Sequence, residues 1–128
     1  MEITVPISVG ELLDKIAILE IKAERIGDVS KRANILKELG LLLQLREGLD
    51  IREPDLIELI NDLSGVNRRL WDIEDRLREL EQRADFGAEF VRLARSVYQE
   101  NDLRAALKRR LNVVTGSALI EEKSYSSG

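Results

Sequence analysis

Leu63, Val66, Leu70, Ile73, Leu77, Leu80 and Ala84 recur at alternating separations of three and four residues, and no other feature restricts the fold of this sequence as strongly. That period draws one stripe along a helix and cannot serve a strand, whose side chains change face at every residue. The run amounts to three heptads of coiled-coil-like seam. Pro54 suits its first turn, with Asp55 beside it at the positive end of the helix dipole. A helix from there to Ala84 is about 45 Å long at about 1.5 Å per residue. Asp72–Arg76, Glu74–Arg78 and Glu79–Arg83 stand as acid-first pairs four apart along it.

The other segments read the same way. Ser8-Val9-Gly10-Glu11 is a capping box, and Leu12, Ile16, Leu19, Ala23 and Ile26 continue from it as a stripe that Gly27 ends. Ser30 is placed to cap a second helix, with Ile35, Leu36, Leu39, Leu42 and Leu43 as its stripe and Gly48 at its end. The short connection predicts an antiparallel hairpin. After the turn Asp85-Phe86-Gly87, a fourth helix begins near Ala88 and uses Phe90, Leu93, Ala94 and Val97. Beyond Asn101-Asp102 the apolar positions become Leu103, Leu107, Leu111 and Val114. The stripe's centre shifts there by about a quarter turn, given about 100° per residue, which predicts a break and a fifth helix capped by Asn101 or Asp102. Gly116 ends it. Residues 2–5 and 118–120 read as short extended segments able to pair, and residues 126–128 as a frayed end.

The expectation is an all-α bundle of four to five helices with a long central helix, forming one domain over residues 1–128. With 128 residues, 44% of them hydrophobic, the chain is large enough to bury a core without disulfides. Two helices carry more apolar surface than one seam uses: Ile18 and Ile21 in the first, Ile57, Ile60 and Trp71 in the third. Helices apolar on two faces are central in a bundle or lie at an interface, so a homodimer is expected, with a further protein partner open.

Chemistry is narrowed by what is missing. The sequence has no Cys and no His. That removes thiol nucleophiles, Cys/His zinc sites, serine-histidine triads and imidazole acid–base work. No cofactor motif is present. Acidic pairs three apart (Glu11…Asp14, Asp55…Glu58, Asp72…Asp75) have metal-binding spacing, but such pairs arise freely in a chain that is 34% charged, so ion pairing is the better reading and no metal is expected. A net charge of −4 argues against nucleic acid, although residues 85–115 carry a local basic excess. No apolar run is long enough to span a membrane, and the N-terminal residues lack a basic then apolar signal pattern, so the expected address is the cytoplasm.

One polar constellation stands out: Arg95, Tyr98, Asn101, Asp102, Arg104, Lys108 and Arg109. Arginine offers a bidentate fork for phosphate or carboxylate, Tyr and Asn add orienting hydrogen bonds, and a helix start at 102 would contribute free amides. Asp14, Lys15 and Lys22 on the first helix would close this candidate anion site from across the bundle. The plainer reading is a cap with a solvated basic face.

The strings Pro6-Ile7-Ser8-Val9-Gly10-Glu11-Leu12-Leu13-Asp14-Lys15, Leu70-Trp71-Asp72-Ile73-Glu74-Asp75, Leu93-Ala94-Arg95-Ser96-Val97-Tyr98 and Gly116-Ser117-Ala118-Leu119-Ile120-Glu121-Glu122-Lys123-Ser124-Tyr125 resemble a family of short bacterial and phage proteins of unknown function, over nearly the whole chain. The resemblance implies no activity, cofactor or catalytic residue. It implies a setting near glycosyltransferase and surface-polysaccharide genes, which is association and not mechanism. Two functions remain open: a helical interaction or scaffold protein, and a small anion-binding domain or enzyme for a phosphate, a nucleotide sugar or a dicarboxylate. Weak nucleic-acid binding is a third.

Overall fold

A computed structural model describes residues 1–124. It contains four helices among them: α1 (Val9–Arg25), α2 (Val29–Glu47), α3 (Pro54–Gln82) and α4 (Ala88–Thr115). The bundle is all-α, and no strand occurs among the described residues. Residues 2–5 and 118–120 are irregular there and do not form a ladder. The frayed end expected at residues 126–128 lies outside the described residues. Among the described residues, no helix is long and apolar enough to cross a membrane.

α1 occupies the centre. It touches α2, α3 and α4, while α3 and α4 share the most extensive contact and α2 touches α1 alone. This position explains the second apolar face of α1: Leu12, Leu13, Ile16, Ala17, Leu19 and Ile21 are all buried, as a helix covered on several sides requires. Leu13 of α1 packs with Leu56, Leu63, Val66 and Leu70 of α3 and with Leu107 and Leu111 of α4. The heptad residues of α3 thus supply one wall of the core, with Ile73 and Leu77 half-buried further along.

The helix ends show which local signals act. The Glu11 amide donates to Ser8 Oγ at 3.1 Å, as a capping box requires, but the Glu11 carboxylate turns to Lys108 instead of back to the cap. Pro54 does open α3 and Gly116, at φ 67°, does close α4 in the left-handed region. The cap of α2 is Asp28, not Ser30: its carboxylate accepts the Lys31 amide at 2.9 Å, so the helix begins two residues earlier than expected.

The predicted break at Asn101-Asp102 is absent, and with it the fifth helix and its free amides: α4 runs through both residues. Its apolar stripe shifts because its neighbours change. Near its start α4 is tied to α3 by Arg76–Glu89 and Arg69–Glu100; further on it also meets α1 through Asp14–Arg104 and Glu11–Lys108.

None of the three acid-first pairs expected within α3 forms among the described residues, and both members of Asp72–Arg76 pair with other helices instead. Asp72 goes to Arg25 of α1, and Arg76 to Glu89 of α4 with Glu79 beside it. Arg68 grips Glu24 through both guanidinium ends, at 2.8 and 2.9 Å.

Candidate functional site

The polar interior lies where α1 crosses the C-terminal half of α4. Gly10 makes the crossing close: a Cβ built on it would stand 2.5 Å from the Lys108 carbonyl oxygen and 2.9 Å from Asn112 Oδ1. Only a residue without a side chain fits. The backbones meet there, and α4 completes the α1 N-terminus. The Gly10 amide donates to Asn112 Oδ1 at 2.6 Å and the Val9 amide to Ser117 Oγ at 3.2 Å. With the Ser8 cap, three of the amides that a helix start leaves open are satisfied.

One turn into α1, the Asp14 carboxylate is completely buried. It accepts from Asn67 Nδ2 of α3 at 2.9 Å and from both ends of the Arg104 guanidinium of α4, Nε at 2.9 Å. Lys108 Nζ stands 3.9 Å from the same carboxylate, 2.7 Å from Glu11 and 2.9 Å from Glu121 of the C-terminal segment. Lys15 reaches the outer side of Glu11 at 3.8 Å. A carboxylate without water must be paired and hydrogen-bonded from every side, and Asp14 is.

The electrostatics follow from these partners. The Asp14 hydrogen bonds outweigh burial and raise the Arg104 guanidinium above its usual range. Burial alone would push the Lys108 ammonium down, but Glu11, Glu121 and Asp14 outweigh it and the group ends above its ordinary value. The hydrogen bond from Lys108, reinforced by its charge and that of Arg104, holds the Glu121 carboxyl below its usual value.

Of the residues picked from the sequence, Arg104, Lys108, Asp14 and Lys15 come together. Asp102 meets Lys123 at 3.5 Å on the outer face of α4. Arg95 and Tyr98 are exposed, and Asn101 and Lys22 are half-buried; among the described residues none of the four bonds to the cluster. Arg109 lies on the exposed side and pairs with Glu122 at 2.5 Å. Sequence reasoning missed Asn67, Asn112, Ser117 and the role of Glu121. Asn67 had left a trace, a polar residue four after Leu63 and three before Leu70, inside the apolar stripe. Asn112 sits four after Lys108, on the same face.

Acidic residues do not gather into a metal site: no group of three potential ligands converges among the described residues. An open groove of about 580 Å³ runs between Val9, residues 49–54 and Val114–Thr115. It adjoins the crossing but contains none of the cluster's charged residues.

Fold and polar interior together define a class: a four-helix protein whose central helix is locked by an internal carboxylate–guanidinium–ammonium network. Residues 3–128 match the model of DUF6165, described as a family of unknown function, and the chain belongs to that family. No curated protein and no solved structure matches it.

Proposed function

We propose that this protein is a helical interaction module that pairs with a second copy of itself through α2. The observation that carries the reading is the state of that helix. α2 is 19 residues long, touches only α1 and has no buried residue. Ile35, Leu39, Leu42 and Leu43 are half-buried toward α1, whereas Leu41 (47%) and Leu45 (60%) remain exposed. At about 100° per residue, Leu41 and Leu45 point roughly a third of a turn away from the half-buried side. Leu36 and Val29 are exposed on the other flank. Two-sided apolar helices at the edge of a bundle are the usual material of subunit contacts.

Charge favours a second copy as the occupant. α2 carries Lys31, Arg32, Lys37 and Arg46 against Glu38 and Glu47, a net of +2, while residues 53–84, which include α3, have nine acidic and five basic side chains, a net of −4. A two-fold pair sets each basic α2 beside the acidic α3 of the other chain, twice over.

Light scattering tests this directly. The expected mass at micromolar concentration is twice the chain's 14.6 kDa, falling to the single-chain mass in a Leu41→Lys, Leu45→Lys variant that keeps its helical circular dichroism. A wild-type protein that stays a monomer would end the proposal.

A further inference from the structure

Beyond α4 the chain turns back along its own last helix. Glu121 sits on Lys108, Glu122 on Arg109 and Lys123 on Asp102. Every residue from 118 to 124 is exposed, Leu119 at 43% and Ile120 at 41%. Its polar contacts with the body are Ser117 at its root, which accepts the Val9 amide, and these ion pairs. Three ion pairs therefore tie the segment to α4, beside the partial cover of Leu119 and Ile120.

The body beneath it is short of one negative charge. Arg104, Lys108 and Lys15 face only Glu11 and Asp14 within the helices, an excess of one positive charge that Glu121 neutralises. The Lys108 side chain is only 10% exposed, so its ammonium has little water to fall back on when Glu121 leaves. Arg109, the next residue, takes the next carboxylate, from Glu122. A second observation falls on the same stretch. Asn112 Nδ2 is a buried side-chain donor without a partner among the described residues, one turn on from Lys108 along the same face. Its oxygen is fixed by the Gly10 amide, so the amide group cannot simply be turned over.

We propose that Lys108 and Arg109 form a binding site for a small ligand with two adjacent anionic groups, a diphosphate or a dicarboxylate, and that Glu121 and Glu122 occupy it as an internal substitute. The ligand displaces the segment carboxylate for carboxylate: one anionic group meets the Lys108 ammonium, the other the Arg109 guanidinium, whose fork accepts two oxygens at once. The segment then comes away from α4. Apparent affinity is lowered by the fraction of molecules in which the segment is in place. This site is separate from α2 and does not depend on self-association.

The test is calorimetric titration of the full-length protein with pyrophosphate and, in a parallel arm, with succinate, alongside Glu121→Gln/Glu122→Gln and Arg109→Gln variants of checked helicity. The double glutamine variant is expected to bind at least one of the two probes about tenfold more tightly than wild type, because its segment no longer competes. Arg109→Gln should weaken that binding. In the wild type, saturating probe should shift the backbone amide resonances of residues 118–124 while those of the helix interiors stay in place. Pyrophosphate alone binding assigns a phosphate ligand, and succinate alone a carboxylate. If neither probe binds the double variant, or if binding is indifferent to Arg109→Gln or leaves the resonances of 118–124 in place, the proposal is wrong.

Discussion

Asn112 holds Gly10 across the α1–α4 crossing by a 2.6 Å hydrogen bond, the Gly10 amide donating to the Asn112 side-chain oxygen. The bond exists because the backbones meet where Gly10 has no side chain. Gly10→Ala forces a methyl against the Lys108 carbonyl, which cannot move without moving α4. A loss of about 1–3 kcal/mol is expected, as for other overpacked sites, read as a lower urea midpoint with an unchanged slope. A Gly10→Ala protein as stable as wild type would show that the crossing is looser than described.

Asp14→Ala leaves Arg104 and Asn67 without the acceptor they share, while Lys108 keeps Glu11 and Glu121. Breaking one side of a buried ion pair costs about 3–5 kcal/mol; Arg104 is partly exposed, so the lower end is expected. That corresponds to a fall in melting temperature on the order of 10 °C for a domain of this size. Pairing Asp14→Leu with Arg104→Met should recover part of the loss, and a double-mutant cycle measures how much.

Stability against pH should be flat through neutrality. Glu24, Glu89 and Glu121 are held below their ordinary value of 4.5 by hydrogen bonds from Arg68, Arg76 and Lys108, respectively. Their contribution is complete above that value and disappears as the pH falls through the lower folded-state values. Lys108 behaves in the opposite sense: raised above 10.5 when folded, it contributes fully below that value and loses its contribution as the pH climbs through the folded one. No histidine titrates between. Urea midpoints collected from acid to alkali should therefore form a plateau with two shoulders, and an inflection near neutrality would contradict the ion-pair assignments.

These charges also show what was legible beforehand. Caps and stops are local, so Ser8, Pro54 and Gly116 could be read directly. Periodicity supplied the all-α class and the core face of α3. Of the surplus apolar residues it named, Ile21 is covered at the centre of the bundle and Ile57 is exposed, and it did not single out Leu41 and Leu45 of α2, which are exposed too. It also read a break at Asn101-Asp102, since a stripe that changes partner looks, in one dimension, like a helix that stops. The meeting of Asp14 with Arg104 was within reach of charge reasoning. The pairings of Asn67, Asn112 and Glu121 were not: the place of Asn67 in an apolar stripe marks it as buried, but no complementary charge names the partner of either asparagine, and Glu121 is one of several acids that Lys108 could take.

α2 should be the least protected helix of the monomer. With no buried side chain and contact to α1 alone, it can open while the rest stays folded. Amide exchange at a dilution that keeps the chain monomeric should show α2 exchanging well before α1, α3 and α4. Equal protection in all four would mean that α2 opens only with the whole domain.

The α1 cap, finally, bears on how the chain reaches its fold. Val9 and Gly10 find their acceptors in Ser117 and Asn112, more than a hundred residues later. Loop-closure entropy delays contacts of that span relative to the neighbouring helix pairs. While the polypeptide is being made, α1 and α2 emerge first, and the helix on which every other element rests has to wait for the last turn of α4 before its start is secured. A chain arrested before residue 104 would keep Asn67 of α3 beside Asp14 but neither Arg104 nor Lys108, so a buried carboxylate would stand without the cations that neutralise it.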